Sequence, residues 1–347
     1  MKKTAFVICL LFTCNLLSAQ ELFVFFKNGT WGYIDSTGKE VIPPKYKIAG
    51  YFYEGLAYAA MPGEKMGYIN KEGTQIIKGK YAAAANFNEG FTSVLDDEDW
   101  GVINAKGEMV IEPKFANYLV FNNGLAKFKQ ERGLFSTYGF IDTKGDTVLY
   151  PKYEKVSDFS EGLCMASEDG NKYGYIDTKG NWVIKPTREI GSVIKINKEY
   201  VFRDKDFSEG LVSVYEKEKF GVMDKKGVMV IPAKFAAIGK FSNGMAPAQL
   251  DKLYGYINTK GEWVIKPKYN NAEPFSNGLA AVALGPFMKE KWGFIDPSGK
   301  VMIPITLLGA TNPMEPFLFM KGLVACYVAE GVWGYVNRTG KVVWKSK

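Results

Sequence analysis

Along most of the chain, apolar side chains come in short alternating runs bounded by glycine, proline, asparagine or aspartate, a pattern that predicts brief β-strands joined by tight turns. In "GLVSVYEKEKFGVMDKKGVMVIP", from Gly210 to Pro232, Leu211, Ser213 and Tyr215 alternate with Val212 and Val214, and the strands "FGVMD" and "VMVIP" follow. Alternation within "WGYID" sets Trp31, Tyr33 and Asp35 on one face, with Gly32 and Ile34 on the other.

This three-strand phrase recurs. Its bulky-residue–glycine pair stands at Trp31-Gly32, Met66-Gly67, Trp100-Gly101, Tyr138-Gly139, Tyr173-Gly174, Phe220-Gly221, Tyr254-Gly255, Trp292-Gly293 and Trp333-Gly334. Six residues after each glycine comes another, preceded at three residues by Asp or Asn, as in Asp35-x-x-Gly38 and Asn337-x-x-Gly340. That spacing predicts a type I turn, the Asp or Asn side chain capping backbone amides and the glycine taking positive φ, so that a hairpin closes with a bulge. A third signature, Phe-x-x-Gly, precedes most units, from "FYEGLA" at Phe52 to "FMKGLV" at Phe319.

A glycine in mid-strand weakens the strand unless another group must approach closely. A neighbouring unit's side chain, an aromatic one, is therefore expected over Gly32 and its counterparts. The proline segments after the hairpins, such as Pro43-Pro44-Lys45-Tyr46, lack a donor N–H and are expected to be connectors between units. Three small strands cannot cover their own apolar face, so each unit is expected to seal its neighbour.

With these signatures in place the chain resembles the bacterial WG-repeat family, also called KWG repeats, over residues 22 to 346. The resemblance implies a β-rich repeat array in bacterial, often exported, proteins, with a binding or scaffolding role and no catalytic residues to carry over. The expected fold is all-β: a tandem array of nine three-stranded units. Units this short favour an open β-solenoid or toroid, with a closed propeller-like ring as the alternative. Regularity breaks at about 188–206, where "REIGSVIKINKEYVFRDKD" stretches the fifth spacing, and again at "TLLGATNPMEPF".

The first residues, "MKKTAFVICLLFTCNLLSAQ", pair Lys2 and Lys3 with an apolar run and small residues at Ser18 and Ala19. They read as a signal peptide spanning 1–19, cut near Ala19, ahead of a repeat domain at 20–347. The mature chain is then expected in the periplasm or at the cell surface of a bacterium, with no transmembrane segment. Losing two lysines with residues 1–19 lowers the net charge from +7 to +5, too mild an excess over the remaining chain for a nucleic-acid footprint. Of four cysteines, Cys164 and Cys326 remain, too many units apart to form a disulfide, and they read as small buried hydrophobes.

There is no histidine, which excludes Ser-His-Asp and Cys-His catalysis and His-ligated zinc or haem. The prominent carboxylates, Asp35, Asp142, Asp177, Asp224 and Asp296, belong to turns where Asn70, Asn104, Asn258 and Asn337 serve equally well. "DDED" at 96–99 reads as a solvated loop, not a calcium site. No metal or cofactor is expected.

Candidate binding residues are the recurrent lysine–aromatic pairs Lys45-Tyr46, Lys80-Tyr81, Lys152-Tyr153 and Lys268-Tyr269, echoed at Lys114-Phe115 and Lys234-Phe235. Lined along one edge, they would stack sugars or hold acidic polymers. In the competing arrangement the aromatic plugs the core and the lysine snorkels into water. The expected function is that of an exported, non-enzymatic repeat protein that binds a protein or glycan at the cell envelope. Two alternatives stand beside it. One is a carboxylate-dependent polysaccharide hydrolase using acids near the insertion, such as Glu189, Glu199 and Asp204; the other is a structural spacer.

Overall fold

A computed structural model of the chain describes residues 21–133, 135–187, 193–196, 199–202, 205–286, 289–309, 317 and 319–346. The expected signal peptide, Glu189, Asp204 and the side chain of Glu199 lie outside the described residues. The described chain is all-β and forms nine small antiparallel sheets arranged in a ring, a nine-bladed propeller; a further hairpin, Val193–Ile196 with Glu199–Phe202, falls in the insertion.

Each blade is a meander. Blade 3 runs through a leading strand Ala83–Ala84, a second Phe91–Asp96, a third Asp99–Asn104 and a last Met109–Phe115. The leading strand is an element beyond the three expected, and it occurs equally in blades 2, 5, 7 and 8. After Lys45-Tyr46, Lys80-Tyr81, Lys152-Tyr153, Lys234-Phe235 and Lys268-Tyr269 the chain enters the next sheet at once, as Lys47 and Gly50 donate their amides to the carbonyls of Ala60 and Tyr58 at 2.8 and 2.9 Å. The expected proline connector is therefore overturned: Pro43 and Pro44 sit inside the last strand of blade 1, Glu40–Tyr46. That strand is an edge, and its register shifts opposite Gly32, so no ladder bond is lost where the prolines stand.

The same bulge explains the mid-strand glycine and corrects a second expectation. An aromatic ring does lie over Gly32, but it belongs to the same blade: a Cβ there would lie 2.6 Å from the Ile42 carbonyl oxygen, 2.7 Å from Pro44 N and 2.9 Å from the Phe25 ring. A neighbour packs instead over the turn glycine: a Cβ on Gly73 of blade 2 would meet the Ile42 side chain of blade 1 at 3.2 Å. Gly107 against Ile77 and Gly145 against Ile111 repeat the relation blade by blade.

The apolar core is divided among the interfaces between blades. One cluster joins Tyr33, Ile42 and Tyr46 of blade 1 to Phe52, Ala57 and Ile69 of blade 2. The next joins Tyr68, Ile77 and Tyr81 to Phe87, Val94 and Ile103. An aromatic pair recurs at the centre of such seams: Tyr33–Phe52, Tyr68–Phe87, Tyr175–Phe207 and Tyr256–Phe275 all hold ring centroids 4.8 or 4.9 Å apart. Each fully buried side chain of this size contributes about 1.5–3 kcal/mol.

The ring is closed, not open as unit length had favoured. Phe23, Phe25 and Ile34 of blade 1 form one buried cluster with Leu323 and Tyr335 of blade 9. Closure uses no exchanged strand, because blades 1 and 9 are each built from consecutive strands. The last blade covers the first through this cluster, although blade 1 has no leading strand.

Candidate binding surface

All four predicted lysine–aromatic pairs end a last strand. Tyr46, Tyr81, Tyr153 and Tyr269 are buried in the seams between blades, while Lys45, Lys80, Lys152 and Lys268 are exposed. Each ammonium lies over the face of its own neighbour's ring at 5.0–5.2 Å from the centroid. A ligand reaching this edge therefore meets the cation; the ring face behind it is already covered.

The turn carboxylates are engaged as backbone caps. Asp35 Oδ1 accepts hydrogen bonds from the amides of Thr37 and Lys39 at 2.8 and 3.1 Å, and Asn70 Oδ1 accepts from the amides of Glu72 and Thr74. Burial opposes the charge on Asp35, but the Thr37 hydroxyl and these amides outweigh it and hold the carboxyl below its ordinary range. Cys164 and Cys326 are both free and buried, and burial pushes each thiol up to about 12. Among the described residues no group of acids and cysteines is placed to hold a metal ion, and no helix is long and apolar enough to cross a membrane.

A second set of turn side chains has a role the sequence did not announce. The residue before the glycine of every Phe-x-x-Gly turn has positive φ, between 47° and 56°: Glu54, Glu89, Asn123, Glu161, Glu209, Asn243, Asn277 and Lys321. In five consecutive turns that side chain accepts an amide from the next blade's turn. Glu54 takes Gly90 N–H at 2.9 Å, Glu89 takes Asn123 and Gly124 at 2.7 and 2.8 Å, and Asn123 takes Gly162 at 2.8 Å. Glu161 and Glu209 continue to Gly210 and Gly244, both at 2.9 Å. Blades diverge with distance from the ring axis, so equivalent turns can touch only along the inner rim.

The surface departs from this regularity between blades 2 and 5. One depression of about 560 Å³ is walled by Tyr53, Tyr58, Trp100 and Tyr118, with Asn86 and Asn88 beside them. A second, of about 420 Å³, lies on the other side of Tyr118, between the 115–120 segment and the strand Leu125–Arg132. Tyr118 and Val120 belong to both. Tyr118 is 58% exposed and stands edge-on to Trp100 at 5.8 Å between ring centroids. Of the residues lining the two depressions, Phe115 alone was among the sequence candidates. The available signal was a break in pattern: "FANYLVF" carries Tyr118 where the equivalent segments carry Ala49, Ala84, Val156, Ile238 and Ala272.

Eight blades match the WG containing repeat, at residues 31–61, 66–98, 100–133, 138–171, 173–187, 220–254, 254–285 and 292–307, and the chain belongs to that family. Blade 9 repeats the geometry outside the matched residues. Solved structures similar to the chain include the computationally designed Ika8 protein, at 10% identity and a TM-score of 0.48 over 88% of this chain and 96% of that one. BamB from Moraxella catarrhalis is similar at 11% identity and a TM-score of 0.43 over 93% and 92%. No curated protein matches the chain in sequence.

Proposed function

We propose that this WG-repeat propeller is an exported, non-enzymatic protein that binds a protein or glycan partner at the bacterial cell envelope. The observation that carries the reading is the pair of adjoining depressions across blades 2 to 5, where aromatic rings are exposed beside amide side chains. Convergent aromatic and polar groups in a concave surface are the ordinary makings of a recognition site. The residues "MKKTAFVICLLFTCNLLSAQ" support export, and the absence of histidine together with turn-bound carboxylates supports binding without catalysis. Asp158, a carboxylate of the 420 Å³ depression, is paired with Lys127 at 3.0 Å instead of facing a second acid as a hydrolase would need.

Cell fractionation with N-terminal sequencing of the mature chain tests export, and a chain that begins at Met1 in the cytoplasm would refute it. A glycan array and pull-down from envelope extract, run beside the Tyr118→Ala variant, test binding. The expected outcome is a partner retained by the natural chain and lost by the variant.

A further inference from the structure

Blades 2, 3, 5, 7 and 8 share one arrangement at the edge of their second strand. In blade 3 the carbonyls of Ser93 and Leu95 each accept an amide of the leading segment, from Ala85 and Ala82, both at 2.9 Å, and the other four blades repeat both bonds at equivalent positions. In blade 4 the equivalent carbonyls belong to Lys127 and Lys129, and among the described residues no amide reaches either. The blade's short strand, Phe121–Asn122, lies on the stem of the following turn instead.

The leading segment has been drawn away. Leu119 is tied to blade 3, its N–H donating to Ser93 Oγ at 2.8 Å and its carbonyl accepting from the same hydroxyl at 2.9 Å. The depression of about 420 Å³ lies between this diverted segment and the bare edge. Phe128, in the middle of that edge, is only half-buried, whereas its counterparts Ala59, Val94, Ala166, Ala248 and Val282 are buried.

We propose that this edge takes an extended peptide segment of a partner protein, which pairs with Lys127–Lys129 and rests an apolar side chain against Phe128 and Tyr118. The proposal rests on the binding reading above and names its partner as a peptide. The occupant is indicated by the fold itself, since five blades fill the same place with a two-residue extended strand carrying a small or branched apolar residue. Strand addition draws affinity from main-chain hydrogen bonds and selectivity from alternate side chains. Lys127 and Lys129 are already paired, with Asp158 at 3.0 Å and Glu131 at 2.6 Å, so backbone and apolar contact dominate over charge.

The probe is a capped synthetic peptide with the sequence of residues 235–241, Phe-Ala-Ala-Ile-Gly-Lys-Phe, whose own copy forms the leading strand of blade 7. A second peptide is N-methylated at the amides equivalent to Ala236 and Gly239, which donate to Gln249 and Pro247 in the folded chain. Calorimetric titration into the mature chain is expected to show binding that weakens at least about tenfold on N-methylation, as two lost hydrogen bonds imply. The variant N117A/Y118A/L119A/V120N copies the blade 3 segment at 83–86 with unchanged spacing and is expected to fill the edge from within and abolish binding. Equal affinity for the two peptides, or none up to millimolar concentration, overturns strand addition. A glycan bound at the depression without the peptide would end this proposal yet leave the wider binding reading intact. Should the variant fail to fold, the N-methyl comparison on the natural chain still decides.

Discussion

Tyr335 donates its hydroxyl to the carbonyl of Val24 at 2.8 Å, across 311 residues of chain, and so joins the ninth blade to the first. The equivalent Tyr33 and Tyr68 reach forward to the carbonyls of Gly50 and Ala85 in the leading segment of the next blade. At the closure the hydroxyl bonds the second-strand carbonyl itself, at the position where Tyr58 of blade 2 accepts the Gly50 amide. Removing the hydroxyl takes this bond from the buried carbonyl and also ends the hydrogen bond between Tyr335 and Tyr51, which costs about 1–3 kcal/mol. Tyr335→Phe is therefore expected to lower the denaturation midpoint by that equivalent, measured by urea unfolding. If the ring were open in solution, the substitution would leave the midpoint unchanged.

The inner-rim turns separate backbone strain from contact. Glu89 and Lys321 both have positive φ, 53° and 47°, a conformation that costs a residue with a side chain about 1–2 kcal/mol relative to glycine. Lys321 has an ion pair with Glu21 at 3.0 Å, its side chain 50% exposed, so Lys321→Gly is expected to stabilise the fold by roughly 1 kcal/mol. Glu89 accepts two amides of blade 4, and Glu89→Gly is expected to lower stability by roughly 1 kcal/mol as those charge-assisted bonds outweigh the relieved strain. Thermal unfolding of the two variants side by side checks the opposite signs.

Gly32 tests the corrected account of the mid-strand glycine. It is not among the positive-φ residues, and a methyl group there would collide with the Ile42 carbonyl and Pro44 of its own last strand. Gly32→Ala is expected to cost about 2–3 kcal/mol through overpacking. Gly55, whose φ is +86° with open space around it, would bear backbone strain alone. Gly55→Ala should cost about 1–2 kcal/mol. Equal losses in the two variants would show that the bulge yields.

The repeating features were legible in the sequence because they are local. Asp35 and Gly38 specify one turn by residue type, and nine copies specify the sealing of blade on blade. The prolines misled because Pro43 and Pro44 occupy an edge strand at a bulge, a place where proline's missing donor does no harm. Closure was hidden because it depends on a small rotation per blade that no single unit encodes; its contacts appear only when Phe23 meets Tyr335. The cleft at Tyr118 was hidden for the opposite reason. Among the six linkers of equal length, the one at Tyr118 alone carries an aromatic residue where Ala49, Ala84, Val156, Ile238 and Ala272 stand, and recurrence does not reveal an exception.

Acid should act on the turns in a defined direction. Hydrogen bonds outweigh burial to hold Asp35 and Asp177 below their ordinary range, and the Ser298 hydroxyl and amides do the same for Asp296. Each carboxyl is more acidic in the folded chain than in the unfolded chain, so the stability it lends is present above the unfolded value near ~3.9 and is lost as pH falls through the folded value. Asn70 caps the same turn in blade 2 without a charge, its Oδ1 accepting Thr74 N–H at 2.9 Å. The triple substitution D35N/D177N/D296N is therefore expected to leave stability at pH 7 little changed while flattening its fall below about pH 4. Urea midpoints measured from pH 7 to pH 2.5 read the slope directly. A natural chain and variant with the same acid profile would mean that these turns lend no proton-linked stability.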